Sequence, residues 1–226
     1  MKKVKNELEI LSYFNSFKDK VVIDVGCGTG EIVRELTSRG ARVTGLDTQE
    51  MIRKAKDVSK VGDETYLTGG GENLPFEDNY TDIIIFFASL HHVLEGMLNQ
   101  ALKEAHRVLK PGGTVFCLEP VGQKGSYFEI LSLLEDERDS QVKAYEAIKN
   151  AKIIGLVNKE EYIVYIERSY EDYIKLMNVF VEDKTKRNEC LARAKEITER
   201  FSRESGVDFK DFRFKSVCRV NILKKV

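Results

Sequence analysis

Residues 20–47 read KVVIDVGCGTGEIVRELTSRGARVTGLD. Lys20 to Val25 is a β-branched apolar run that ends in glycines, the pattern of a strand buried on both faces. Glu31 to Ser38 sets Ile32, Val33 and Leu36 on one helical face, and Gly40 stops the helix. Ala41 to Leu46 reads as a second strand, ending at Asp47. A strand, a glycine turn, a helix and a second strand in so short a span make a βαβ unit with a parallel strand pair.

Working outward, the alternation continues. Glu50 to Val58 reads as a helix and Glu64 to Leu67 as a short strand. Asp82 to Phe87 is the most apolar stretch of the chain and reads as a central strand. Gly96 to Leu109 is helical by the spacing of Leu98, Ala101, Leu102, Ala105 and Leu109, and Pro111-Gly112-Gly113 ends it. Thr114 to Leu118 is a fifth strand. The pattern predicts a doubly wound α/β fold, with helices on both faces of a mostly parallel sheet. Ligands in such sheets bind beyond the carboxyl ends of the strands, where the strand order reverses. Upstream, Glu7 to Phe17 has the spacing of an amphipathic helix. Downstream, Tyr127 to Ile153, Tyr170 to Phe180 and Cys190 to Phe201 read as helices, Tyr162 to Ile166 and Arg219 to Leu223 as strands. The expected sheet therefore has seven strands. One domain over 1–226 is expected: an N-terminal helix (1–17), a ligand-binding core (18–120), a mostly helical cap with one strand (121–206) and a closing strand (207–226).

Composition narrows the class. A length of 226 residues suits one domain with a sizeable core. Basic and acidic side chains number 36 and 37, so no global positive field draws the chain to nucleic acid or an anionic membrane. Cys27, Cys117, Cys190 and Cys218 form no C-x-x-C pair, and no metal site is expected. Met1 to Ile10 lacks a signal-peptide core and no apolar run reaches bilayer length, so a cytoplasmic protein with no membrane association is expected.

The chemistry concentrates at strand ends. In Asp24-Val25-Gly26-Cys27-Gly28-Thr29-Gly30 the glycines let backbone approach a ligand closely, and backbone N–H groups can meet its polar parts. A dinucleotide fingerprint would carry a third glycine where Glu31 stands. Asp24 would also repel a pyrophosphate, whereas it favours a cationic ligand. Asp47 can accept hydrogen bonds from ribose hydroxyls, or cap the helix that follows.

These segments resemble the motifs of class I S-adenosylmethionine-dependent methyltransferases. Residues 24–30 and Gly45-Leu46-Asp47 are similar to the first two. Gly71-Glu72-Asn73-Leu74-Pro75-Phe76, Leu90-His91-His92 and Arg107-Val108-Leu109-Lys110-Pro111-Gly112-Gly113 follow in order. The resemblance covers about residues 18–120 and points to the subgroup with the ubiquinone/menaquinone C-methyltransferases. It implies a Rossmann-like sheet with an antiparallel last strand, S-adenosyl-L-methionine as donor and a small-molecule acceptor. It places Asp24, Gly26, Cys27, Gly28 and Gly30 around the methionine part of the donor. Asp47 is placed at the ribose, Thr48 and Met51 beside the adenine, Gly71 and Glu72 along its edge, and Ala88 and Ser89 beneath the donor. His91 and His92 fall where an acceptor would meet the methyl group. Each can serve as a base or simply hydrogen-bond the loop.

One departure matters. Gly70 stands where the family often has an acid that accepts from the adenine amino group. A non-catalytic adenosyl-binding module therefore stays open beside methyl transfer, and an NAD-linked oxidoreductase is disfavoured by Glu31 and Asp24. Tyr13, Phe14, Tyr127 and Phe128 are aromatic candidates for an acceptor pocket, though such spacing usually marks core. Arg107 to Gly113 reads as structural. Ala88-Ser89-Leu90-His91 replaces the Asn/Asp-Pro-Pro-aromatic motif of amino-methylating DNA enzymes, so no nucleic-acid partner is expected.

Overall fold

The computed structural model describes residues 2–4, 7–11, 17–122 and 124–226. Along the chain run β1 (Lys2–Val4), α1 (Glu7–Ile10), β2 (Val21–Val25), α2 (Glu31–Ser38), β3 (Arg42–Asp47), α3 (Gln49–Lys56), β4 (Thr65–Thr68) and β5 (Thr81–Phe87). Then follow α4 (Leu98–Val108), β6 (Leu109–Pro120), α5 (Phe128–Leu131), α6 (Arg138–Asn150), β7 (Leu156–Arg168), α7 (Tyr170–Phe180), α8 (Lys184–Ser205) and β8 (Phe214–Lys225). Short 3-10 turns stand at Leu90–His92 and Ala151–Ile154.

The strands form one sheet in the order β1-β7-β8-β6-β5-β2-β3-β4. Among the described residues only β8 runs against its neighbours, β6 and β7. The sheet thus has the expected doubly wound, mostly parallel form with an antiparallel last strand. It has eight strands where seven were expected. The extra one, β1, pairs Lys2, Lys3 and Val4 with Val164, Tyr165 and Ile166 on the free edge of β7. Three residues with two lysines carry no apolar alternation, so backbone hydrogen bonding alone marks this strand. The expected helix from Glu7 to Phe17 appears as Glu7–Ile10; residues 12–16, with Tyr13 and Phe14, lie outside the described residues.

Strand periodicity of two divides the core between the faces of the sheet. Ile83 and Ile85 join Val33 and Leu36 of α2 and Ile52 of α3 on one face. Ile84 and Phe86 join Leu102 and Ala105 of α4 and Ala144 and Ile148 of α6 on the other. A third cluster, holding Tyr127, Ile130, Tyr173, Met177, Cys190 and Phe214, gathers α5, α7 and α8. Tyr127 is therefore core, as aromatic spacing usually implies. The end of α7 reaches the carboxyl edge of the sheet, where the carbonyl of Val179 accepts from Lys54 Nζ of α3 at 2.9 Å.

Candidate active site

The chain steps outward from β2 to β3 and β4, then returns to lay β5 against the other side of β2. The order reverses there, and the carboxyl ends of β2 and β5 meet. The glycine turn leaves β2 at this point, and Ala88-Ser89 leaves β5. Gly26 has φ +77°, and a Cβ on it would run into the Ser89 side chain. Ser89 in turn donates its hydroxyl to the Val25 carbonyl at 2.5 Å. Gly26 and Ser89 thereby lock the two strand ends together, and no larger residue fits at 26. Gly28 differs. Its φ is +53°, yet a Cβ there would meet only the Phe180 ring, at 3.9 Å. Among the described residues, then, Gly28 is less crowded than Gly26 or Gly30, with only the edge of the Phe180 ring in contact. Gly30 begins α2 against Tyr66, whose hydroxyl would lie 2.6 Å from an added Cβ.

The N–H groups of this turn face inward. Gly26 and Cys27 donate to the Leu46 carbonyl at 2.8 and 3.0 Å, and Gly28 donates to Asp47 Oδ2 at 2.7 Å. These three donors are spent on β3, so what the turn offers a ligand is close approach and charge. The charge is Asp24. It is 1% exposed, and among the described residues neither carboxylate oxygen has a hydrogen-bond partner. Burial, with the nearby charge of Asp47, pushes its carboxyl pKa up to about 7. An unpartnered buried carboxylate is costly, and a cationic ligand at the glycine turn would relieve it. The site therefore fits the ammonium group of the expected donor. Cys27 is buried, and burial together with Asp24 pushes its thiol pKa up, which favours the thiol over the thiolate.

Asp47 is half-buried and binds Gly28 N–H and Thr48 N–H, the latter at 2.7 Å. A carboxylate accepts at roughly four positions, so about two stay free for ribose hydroxyls. Thr48 caps α3, its hydroxyl accepting from Met51 N–H at 3.4 Å. Gly71 is buried, its missing side chain facing Phe86, Ala101 and Val25 at 3.3–3.4 Å. At Gly70 a Cβ would strike the Glu72 carboxylate, so that acid lies directly against the Gly70 backbone. Ala88 is exposed and held at φ +51°, its N–H bonded to the Leu118 carbonyl at 2.6 Å.

His91 and His92 follow on the turn after β5. His91 is 4% exposed. Its Nδ1 bonds a Glu119 carboxylate oxygen, and its Nε2 lies 3.5 Å from Glu137 Oε2. Glu119 is held in turn by Leu90 N–H at 2.9 Å and Ser89 N–H at 3.3 Å. Burial opposes a charge on His91, but Glu119 and Glu137 outweigh it and raise its pKa to about 10. His92 is exposed, with Nδ1 3.8 Å from Glu137 Oε1; burial of the ring and the charge of His91 lower its pKa. Of the two, His92 is the one free to accept a proton near neutral pH.

Sequence reading named neither Glu119 nor Glu137. Glu119 had a signal, an acid at the end of the apolar run Thr114 to Leu118. Glu137 had none, since it sits in a charged helical stretch. Arg107 proves structural, as read. Its guanidinium donates to the carbonyls of Leu74 and Phe76 at 3.0 and 2.8 Å and to Asp78 at 2.9 Å, and Glu104 grips it at 2.7 and 2.8 Å. The fifth motif thus holds the third in place.

Comparison with known proteins gives one direction. Residues 23–117 match a family described as "Methyltransferase domain". The demethylmenaquinone methyltransferase of Staphylococcus epidermidis is 38% identical over 115 residues, which are 49% of this chain and 47% of that protein. The ubiquinone/menaquinone biosynthesis C-methyltransferase of Rickettsia felis is 34% identical over 120 residues, 48% of this chain and 47% of that protein. The chain spans about half the length of these curated relatives. Among solved structures, an S-adenosylmethionine-dependent methyltransferase from Methanosarcina mazei aligns with a TM-score of 0.60 at 18% identity, covering 99% of both chains. The [4+2]-cyclase SpnF aligns with a TM-score of 0.63 at 16% identity, covering 96% of this chain and 79% of that one. At such identities the structures speak for the fold alone. Over residues 23–117 the chain is similar in sequence to a methyltransferase domain and to the quinone C-methyltransferases, and over nearly its whole length it shares its fold with the solved methyltransferase.

Proposed function

We propose that this protein transfers a methyl group from S-adenosylmethionine to a small-molecule acceptor, at carbon, nitrogen or oxygen, by in-line displacement. The observation that carries the reading is Asp24, a buried carboxylate with no hydrogen-bond partner among the described residues, at the start of the glycine turn. When bound, the donor supplies a methyl group already activated by its sulfonium. Asp24 holds the ammonium group. Asp47 holds the ribose with its remaining acceptor positions, while its bond to Gly28 N–H keeps the turn in shape. Thr48 and Met51 border the adenine. Glu72 stands in for the acid absent at Gly70. Ala88 and Ser89 form the floor, fixed to β2 through Gly26 and Val25. Alignment of donor and acceptor supplies much of the rate in such a site, so the chain need contribute little acid–base chemistry. His91 positions the loop, and His92 is the residue able to take a proton from the acceptor.

The names of the relatives point to a quinone-type ring as acceptor. The near-neutral net charge and the sequence Ala88-Ser89-Leu90-His91 support a small molecule over nucleic acid. Among the described residues no helix is long and apolar enough to cross a membrane. A single cytoplasmic domain over 1–226 is part of the same reading, with α5, α7 and α8 as its cap, while α6 and β7 belong to the sheet and its face. Since this fold also carries a [4+2]-cyclase, turnover has to be measured. The test is incubation with S-adenosylmethionine and a panel of reduced naphthoquinones, phenols and amines. S-adenosylhomocysteine together with an acceptor heavier by one methyl group is expected. Donor binding without product across the panel would favour a non-catalytic adenosyl-binding module.

A further inference from the structure

Three side chains from two separate elements converge just beyond Ser89. Among the described residues, His91, His92 and Glu137 bring one ligand atom each to within 4.8 Å of one another. The separations are informative. His91 Nε2 is 3.5 Å from Glu137 Oε2, and His92 Nδ1 is 3.8 Å from Glu137 Oε1. The first is at the outer limit of a hydrogen bond and the second is beyond it. Two ligand atoms on one tetrahedral zinc ion, with bonds of about 2.0–2.1 Å, stand about 3.3–3.5 Å apart. The 3.5 Å spacing fits a shared ion, and the 3.8 Å one, which runs to the other oxygen of the same carboxylate, would fit after a small tilt of the Glu137 carboxylate.

The surroundings support the same conclusion. His91 gives its Nδ1 to Glu119, whose other oxygen is fixed by Leu90 N–H and Ser89 N–H. That bond holds one proton on Nδ1, so an ion would displace the second proton, which faces Glu137 at Nε2 in the ion-free protein, and Nε2 would be the ligand atom. A carboxylate that orients a histidine in this way is the usual support of a metal-bound imidazole. Gln141 lies 3.5 Å from Glu137 Oε2 and steadies that carboxylate. Entry is open on the side of His92, which is exposed. A small cleft of about 20 Å³, lined by Gly122, Phe128, Glu137 and Gln141, lies beside Glu137 and has room for about one water. No linear spacing announces such a site, because Glu137 comes from the turn before α6, far along the chain from the two histidines.

We propose that His91, His92 and Glu137 bind a divalent transition-metal ion of the zinc type, with Glu119 as the orienting carboxylate. Two nitrogens and one oxygen leave at least one coordination position open, the arrangement of reactive rather than purely structural sites. An acceptor oxygen entering that position would lose its proton to solvent more readily, so with the ion bound His92 serves as a ligand and no longer as the proton acceptor. This consequence rests on the methyl-transfer reading; the metal site itself does not.

The experiment uses the full chain, stripped with a chelator and dialysed. Zinc is titrated by calorimetry, and cobalt(II) is added as a spectroscopic probe. One equivalent is expected to bind, with visible cobalt bands of low coordination number. His92→Ala changes an exposed side chain and should fold normally, yet weaken zinc by at least about tenfold. Glu137→Gln should do the same. Glu119→Gln should cost about 10–100-fold, as removal of an orienting partner does. Absence of zinc binding, or binding undiminished in both His92→Ala and Glu137→Gln, overturns the proposal. S-adenosylhomocysteine titrated into the same samples reports on the donor site separately. Retained donor binding with no metal would refute the metal site alone, and retained metal with no donor binding would refute the methyl-transfer reading alone.

Discussion

Asp24 governs the pH behaviour of the donor-free protein. Its ordinary pKa of 3.8 rises to about 7 in the fold. The folded state therefore holds a proton that the unfolded chain has released between those values. The stabilising effect of that protonation is complete below about pH 4 and is lost as pH rises through about 7. Asp24→Asn removes the orphaned charge. Thermal melts should show the variant more stable than the parent at pH 8, with the difference vanishing at pH 4; a variant less stable at pH 8 would mean that Asp24 has a partner. At Gly28 the prediction is one of space. Gly28→Ala meets only Phe180 and costs about 1–2 kcal/mol for its left-handed backbone, so it should fold but lose donor affinity. Normal affinity in a folded variant would remove the glycine turn from the site. Asp24 and the glycines were legible because they are contiguous. The pairing of His91 with Glu119 and Glu137 was not, because each contact joins residues far apart in sequence.

At the scale of elements, hydrophobic period was a good guide wherever an element buries a continuous face. Tyr170–Phe180 appears with the bounds its spacing gave, and β5 shows the burial on both faces that its unbroken apolar run implied. Ends set by polar residues were harder to see. β7 extends over Leu156–Arg168, although only Tyr162 to Ile166 read as strand, because Asn158 to Glu161 is an exposed polar stretch without apolar alternation. The helical reading of Tyr127 to Ile153 divides into α5 and α6. Asp136 accepts from Arg138 N–H at 3.2 Å between them, a turn contact that starts a new helix. The clamp of Arg107 belongs to this scale, since it ties α4 to residues 74–78. Arg107→Ala leaves Glu104 and two carbonyls without their donor and should destabilise by about 2–3 kcal/mol, read by urea denaturation. A loss below about 0.5 kcal/mol, the range of ordinary surface changes, would show that the loop stands without it.

Across the whole molecule, the strand order brings β2 and β5 together where the donor is proposed to lie. The third hydrophobic cluster sets α5, α7 and α8 beside that edge. Phe180 is 51% exposed and stands over Gly28, so its ring, at the end of a helix anchored by Tyr173 and Met177, covers the proposed donor with little burial of its own. Phe180→Ala should leave the unfolding midpoint nearly unchanged and speed donor release, measured by stopped-flow dissociation; unaltered release would mean that the helical segment does not cover the donor. The central claim is that an adenosyl cation binds at Asp24. Calorimetric titration of the parent protein and Asp24→Asn with S-adenosylmethionine at pH 8, with NADH as control, tests it most directly. Micromolar binding to the parent, marked weakening in Asp24→Asn and no heat from NADH are predicted. Equal binding to both proteins, or none to the parent, would contradict it.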